Sequence, residues 1–371
     1  MKFIYSVAIL SGTIIGAGIF ALPYLTTQVG FFNMFLYLVV FGGVAILIHS
    51  FFGDLSKRTP DFLRLPGFAE LHLGPWAKKV TLFSGFFGLM GAVLAYIILG
   101  GSFLYGLLSP IFGGEELIYT LVYFSIGAIF VYFGVKAIEK ISLLGVFGFV
   151  IALIFIFVKG WSSVEVGNIT NYIGFDGGVS DLFLPYGVVL FAFWGAALIP
   201  EMEELLSGQK KKLNKAIILG IALPLVLYTF FIVLVVGITG GGTTEESIIG
   251  LQETLTNGVI SAALLFGILV TFTSFIALAL TLKKILWYDL KIPEKLSWAI
   301  TMFIPLILFL CGIKSYINVI GTIGAVFLAI DAILITIMYQ KYKSKKHRFI
   351  TYPLIFVFAL GIVYQFFYFF I

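Results

Sequence analysis

Apolar residues in this chain come in long unbroken runs separated by short polar stretches. Runs long enough to cross about 30 Å of hydrocarbon fall at 4–29, 30–53, 78–109, 117–135, 141–159, 182–205, 214–239, 257–282, 295–313, 316–339 and 349–371. They predict an all-α polytopic membrane protein with eleven transmembrane helices. The run 78–109 is longer than a span needs, which predicts tilt. The segment 54–77, with Asp54, Asp61, Arg64, Glu70 and His72, is the longest loop on its side and predicts a short interfacial helix.

Two of the runs are interrupted from within. Run one reads S-G-T-I-I-G-A-G-I-F-A-L-P-Y from Ser11 to Tyr24. In a helix interior, glycine costs about 1 kcal/mol and proline about 3 kcal/mol relative to alanine. In lipid, each freed backbone N–H and C=O must find a partner. A break at membrane depth therefore points to a cavity or a bound ligand. Run six carries a second break, F-A-F-W-G-A-A-L-I-P-E-M-E from Phe191 to Glu203. Gly18 and Pro23 share the spacing of Gly195 and Pro200, and the two runs cross in opposite directions. Interrupted helices at equivalent places of two halves predict a 5+5 inverted repeat. Repeat one covers about 4–159 and repeat two about 182–339. One extra helix follows at 349–371, and the whole of 1–371 forms a single transporter domain.

Composition agrees with the pattern. Of the 371 residues, 61% are hydrophobic and 11% charged, and mean hydropathy is +1.12. Soluble domains carry roughly 25% charged residues. With the N-terminus in the cytoplasm, strict alternation puts 21 of the 23 basic residues on the inner side, leaving Lys159 and Lys314 outside. That is a positive-inside arrangement, with the C-terminus extracytoplasmic, in a cell or inner membrane. The basic runs at 210–212 and 343–348 then serve as topology determinants, with anionic lipid as a secondary contact, and nucleic acid is not a partner. Run one is too long for a cleavable signal peptide and lacks its exit site. A single cysteine, Cys311, excludes an internal disulfide.

The motifs G-T-I-I-G-A-G-I-F-A-L-P in span one, G-A-A-L-I-P-E in span six and T-S-F-I-A-L-A-L in span eight resemble those of bacterial aromatic and hydrophobic amino-acid permeases. More broadly they resemble the amino acid–polyamine–organocation superfamily, which has the LeuT fold. The resemblance implies a secondary active transporter of amino acids working by ion-coupled alternating access. It implies an amino acid as the small-molecule ligand and the lipid bilayer as the surroundings, with no obligate protein partner and no enzyme activity.

Such a site can be built from the breaks. The half-helix beginning near Gly18 offers unpaired N–H groups and about half a positive charge, suited to a carboxylate. Gly16, Ala17 and Gly18 let it come close. The half-helix ending near Thr13, and its counterpart at Phe191 to Phe193, expose carbonyls suited to an ammonium group. Phe191, Phe193, Trp194 and Gly195 lie at the second break, and one or two of the aromatics are expected to wall a pocket for an apolar or aromatic side chain. Tyr96 in span three is read either as a gate or hydroxyl contact, or as a packing tyrosine.

For the coupling ion, the resemblance to the sodium-coupled branch implies Gly12 and Ile15 from span one with Val270, Thr273 and Ser274 from span eight. Oxygen ligands suit sodium, while hydroxyls bonded back along their own helix are the plain alternative. Sodium is the expected ion, and a proton is the other. Some proton-coupled relatives carry a span-five lysine that is missing here. Asp331, well inside span ten, is a functional candidate by default, with a structural hydrogen bond as the alternative. Glu201 is a candidate for the inner vestibule. No ATP-binding motif or metal-ligand spacing occurs, so no cofactor is expected. A nutrient sensor on the same fold is the competing function, with a channel or polytopic enzyme behind it.

Overall fold

A computed structural model describes residues 1–59, 63–134, 148, 151, 153–172, 182–253, 255, 257–342 and 348–370. Among these every regular element is helical. Lys136, Lys140, Asp176, Asp181 and the basic run at 343–347 lie outside the described residues, as does most of run 141–159.

Fourteen helices carry the argument. They are α1 (Lys2–Ile14), α2 (Leu22–Val29), α3 (Phe31–Ser56), α4 (Leu65–Leu73), α5 (Pro75–Phe112), α6 (Glu116–Phe133), α7 (Pro185–Ala192), α8 (Ile199–Leu205), α9 (Leu213–Thr239), α10 (Asn257–Lys284), α11 (Glu294–Leu310), α12 (Tyr316–Thr322), α13 (Ala329–Tyr342) and α14 (Arg348–Phe370). By length and composition seven described helices can cross a membrane, or eight when the bent pair Lys2–Ile14 and Ala17–Val29 is taken as one span. Three of the eleven expected runs fall outside this set. Run 182–205 is divided between α7 and α8, run 295–313 is the 17-residue α11, and run 141–159 is described mainly from Leu153 onward.

The expected interfacial helix is α4, which carries Pro66 in its first turn and ends at Gly74 with φ 100°. Its neighbour α5 has 38 residues, about 57 Å at 1.5 Å per residue. That is well beyond the hydrocarbon thickness, so tilt or protrusion is required.

Polar contacts sort the loops onto two faces. On one, Lys57 donates to Asn214 at 3.0 Å, Lys210 pairs with Glu203 at 2.7 Å and Arg58 stacks over Tyr342 at 4.4 Å. There too Lys341 donates to the His72 carbonyl at 2.9 Å. On the other, Asn168 donates to the Gly237 carbonyl at 3.1 Å and Gln252 to that of Gly106 at 3.0 Å. Ser315 donates to Glu245 on that side at 3.4 Å.

Lipid gives no hydrophobic push between helices, so small residues set the close contacts. A Cβ added at Gly101 of α5 would lie 2.8 Å from Thr120 Cβ of α6. Span ten is tied more tightly still. Between α12 and α13 it takes a π turn, Ile323–Leu328, and a Cβ on Gly324 would run into the Gly187 carbonyl of α7. The last helix, for which the sequence offers no role, packs beside these two. Gly361 makes room for the Tyr186 ring of α7, Phe183 meets Tyr364 at 5.2 Å, and Gln365 donates to Thr322 at 3.3 Å.

Candidate functional site

Helix α1 stops where the glycines begin. Ile15 N–H still reaches the Ser11 carbonyl at 2.8 Å, but Gly16 N–H turns back to Ile14 O at 2.8 Å. Gly16 leaves helical geometry (φ −123°, ψ −144°), and a 3₁₀ turn, Ala17–Ala21, leads into α2. The two halves meet at 46°. The second break repeats the device. After α7 ends at Ala192, Gly195 takes φ −144° and ψ 17°, and a short 3₁₀ turn leads into α8 with Pro200 in its first turn.

The breaks touch each other. A Cβ added at Gly18 would sit 2.6 Å from Ala192 Cβ and 2.7 Å from its Cα. A Cβ on Gly195 would meet Leu10 at 2.6 Å. Residues Ile14 to Leu22 are all buried.

Four side chains from other spans satisfy the backbone that the breaks release. The Tyr228 hydroxyl of α9 lies 2.6 Å from Ile14 O and 2.8 Å from Ala192 O. Its one proton is shared between the carbonyl ends of both half-helices. Ala17 N–H donates to the Tyr96 hydroxyl at 3.2 Å, and Ser274 lies beside that hydroxyl. The Tyr316 hydroxyl donates to Ala17 O. His49 of α3 takes Gly195 N–H on Nε2 at 3.0 Å, while its Nδ1 lies 2.6 Å from Ala45 O. A carbonyl can only accept and an N–H can only donate, so the ring is neutral with its proton on Nδ1.

The loop that carries Glu245 and Ser247 covers the first break. Phe20 packs edge-on against Phe103 at 4.9 Å and Phe231 at 6.2 Å. Ser247, in a left-handed conformation with φ 59°, donates to the Phe20 carbonyl, and Ile248 beside it is fully buried.

Among the residues expected at a substrate site, Gly16, Ala17 and Gly18 line the first break. Thr13, one position before the end of α1, is exposed. Phe193 is fully buried against the Tyr228 ring at 5.3 Å. Trp194 stands half-buried, edge-on to His49 at 5.6 Å, and Phe191 is half-buried on α7.

Among those expected to hold an ion, Ile15, Val270 and Thr273 are buried and Gly12 and Ser274 are half-buried. Thr273 Oγ1 donates back to Val270 O at 3.0 Å, which keeps its lone pairs free. Asp331 lies elsewhere, under a 2.5 Å hydrogen bond from Ser84. Ser84 is twelve residues from Tyr96 on α5, about 18 Å along the helix. Glu201 is half-buried in the first turn of α8, with Arg64 and Glu204 as its charged neighbours.

Tyr228, Tyr316 and His49 are not among the residues that the sequence places at the site. Their signal is a lone polar group deep in an apolar run, which is costly unless it is used.

Comparison with known proteins identifies the family and the fold. The model of the tryptophan/tyrosine permease family matches residues 1–367. Tyrosine-specific transport system 1 of Haemophilus influenzae is 25% identical over 98% of this chain and 95% of its own. Glutamine transporter 2 of Aliivibrio fischeri is 26% identical over 89% of this chain and 87% of its own. The low affinity tryptophan permease of Proteus vulgaris is 26% identical over 77% and 72%.

Two solved structures share the fold at 12% identity and a TM-score of 0.66. One is MHP1, a nucleobase-cation-symport-1 family transporter in a closed conformation with bromovinylhydantoin bound, aligned over 92% of this chain and 79% of that one. The other is the Eremococcus coleocola manganese transporter with an aromatic bis-isothiourea substituted compound, aligned over 97% and 85%. Both are LeuT-fold transporters, as the broken helices lead one to expect. With its sequence matched almost end to end and its two breaks joined, this chain belongs to the tryptophan/tyrosine permease family, multi-pass membrane transporters of amino acids.

Proposed function

We propose that the chain is a secondary active transporter of neutral, hydrophobic or aromatic amino acids, driven by an ion gradient through alternating access. The observation that carries this is the meeting of two broken helices, packed so closely that a Cβ on Gly18 would strike Ala192. The start of the 3₁₀ turn at Ala17 suits a carboxylate. The carbonyl ends at Ile14 and Ala192, bridged by Tyr228, suit an ammonium group. A zwitterion is then held by backbone, and its side chain meets Phe191, Phe193 or Trp194. No charged residue occurs from Ser11 to Tyr24 or from Phe191 to Pro200, which favours an uncharged side chain. Tyrosine, tryptophan and glutamine, the substrates named for the relatives, share that property.

For coupling, Gly12, Ile15, Val270, Thr273 and Ser274 offer the oxygens that sodium prefers. A proton is the other candidate, with Asp331 and Glu201 as its carboxylates. The basic face is assigned to the cytoplasm of the inner membrane by the positive-inside rule. That assignment puts the N-terminus inside and the C-terminus outside.

The test is uptake of labelled tryptophan, tyrosine, glutamine and leucine into proteoliposomes under a sodium gradient, a proton gradient or neither. Accumulation under sodium supports the five-residue ion site. Accumulation under protons alone moves the coupling to the carboxylates. Binding without accumulation under any gradient overturns transport in favour of a sensor.

A further inference from the structure

We propose that His49 is a proton-operated cap on the broken helix of span six. Neutral, it holds the Gly195 N–H through Nε2; protonated, it lets go.

The cap is defined by both ring nitrogens. Nδ1–H is committed to Ala45 O at 2.6 Å, so Nε2 is the acceptor for Gly195 N–H at 3.0 Å. A second proton can enter the ring only at Nε2. It would set two N–H donors against each other and leave Gly195 N–H buried with no acceptor, the costly case for a polar group. A proton on His49 and a closed second break therefore exclude each other. By linkage, falling pH shifts the population toward the uncapped break. A serine or asparagine could cap the same N–H, but neither loses its acceptor in the range where imidazole titrates.

Charges from neighbouring elements do not obscure this. The helices packed most closely against α3 are α2, α7, α8, α9 and α13, and α4 meets it through Phe68 on Phe52 at 5.0 Å. On α4, Glu70 pairs with Lys78, and the His72 carbonyl accepts from Lys341 of α13. Tyr24 is the one titratable residue of α2. Tyr186 of α7 packs into Gly361. On α8, Glu203 pairs with Lys210, Glu204 is exposed, and Glu201 answers to Arg64 and Glu204. On α9, Lys215 is exposed and Tyr228 is held between Ile14 and Ala192. On α13, Asp331 is held by Ser84, and Tyr339 stacks on Phe51 at 3.9 Å. Asp54, on α3 itself, pairs with Lys57. The ring is left with Ala45, Gly195 and the edge of Trp194.

His49 thus acts as a positioning residue, setting the corner that presents Phe193 and Trp194. Its link to transport rests on the function proposed above, whereas the cap itself does not.

Trp194 supplies the readout, because a cationic imidazole quenches a neighbouring indole and a neutral one does so weakly. Tryptophan emission of the full-length protein in nanodiscs is followed from about pH 8 to about pH 4, below the usual imidazole range because the ring is fully buried. Trp194→Phe identifies the contribution of that residue. The expected result is a reversible quench of the Trp194 component on acidification. His49→Gln keeps an acceptor for Gly195 but takes no proton, so it should abolish the quench. In parallel, affinity for labelled tryptophan should fall several-fold on acidification in the wild type and stay flat in His49→Gln. His49→Ala should bind weakly at every pH.

An unchanged quench in His49→Gln, or no Trp194 quench down to about pH 4, overturns the proposal. A quench that depends on His49 in a protein that binds none of the labelled amino acids would support the cap and sink the transport reading instead.

Discussion

The hydroxyl of Tyr228 lies 2.6 Å from the carbonyl oxygen of Ile14, where the first half-helix ends. The same oxygen is 2.8 Å from Ala192 O, where the second ends. One side chain thus ties both breaks to span seven. Removing the hydroxyl leaves two buried carbonyls short of a donor, at a cost of about 1–3 kcal/mol. Tyr228→Phe is expected to lower the thermal unfolding midpoint of the substrate-free protein. Saturating substrate should restore part of it, since an ammonium group supplies the missing donor. An unchanged midpoint without substrate would rule out the tie.

Gly16 faces the Tyr96 hydroxyl, which a Cβ there would approach to 3.0 Å. Valine would push that hydroxyl off Ala17 N–H and fill the space proposed for the carboxylate. Gly16→Val should lose substrate binding by at least an order of magnitude while the protein remains monodisperse. Equilibrium binding of labelled tryptophan decides it, and wild-type affinity would remove the carboxylate from this position.

The sodium proposal predicts that Thr273→Ala combined with Ser274→Ala raises the sodium concentration for half-maximal uptake. The back-bond from Thr273 to Val270 costs little to lose, so folding should survive. An unaltered sodium response in the double variant would discard the site.

Asp331 separates charge from hydrogen bonding in a single substitution. Asparagine keeps an acceptor for Ser84 but carries no proton through the cycle. If Asp331 is the proton carrier, Asp331→Asn should flatten the pH dependence of uptake, and Ser84→Ala should alter it without abolishing it. Full pH dependence in Asp331→Asn would assign the residue to structure.

Glu246 stands next to Ser247 in the covering loop. Burial pushes its carboxyl above the usual carboxylate range, with Glu245 and Glu116 adding to the rise against its own backbone N–H. A carboxyl with a raised folded-state pKa favours the folded loop when protonated, and that contribution is lost as pH rises through the folded pKa. Glu246→Gln should therefore raise the melting temperature near neutral pH, with the gain vanishing toward about pH 4. Melting curves of both proteins across that range provide the check.

The breaks were legible because Gly and Pro are conspicuous inside apolar runs, and their matched spacing paired spans one and six before any contact was known. The partners of the breaks were not legible. Tyr228 is 36 positions from Ala192 and 214 from Ile14, and His49 is 146 from Gly195. Nothing local marks such pairings in helices that are apolar all round. Thr13 is exposed for a related reason. Helical position fixes which turn a residue occupies, but a uniformly apolar span gives no periodicity to say which side it faces.

Gly187 and Gly324 bring two backbones into contact with no side chain between them. Helices in such contact cannot slide past one another without unlocking, so Pro185–Ala192 of span six and the π turn of span ten are held as one unit.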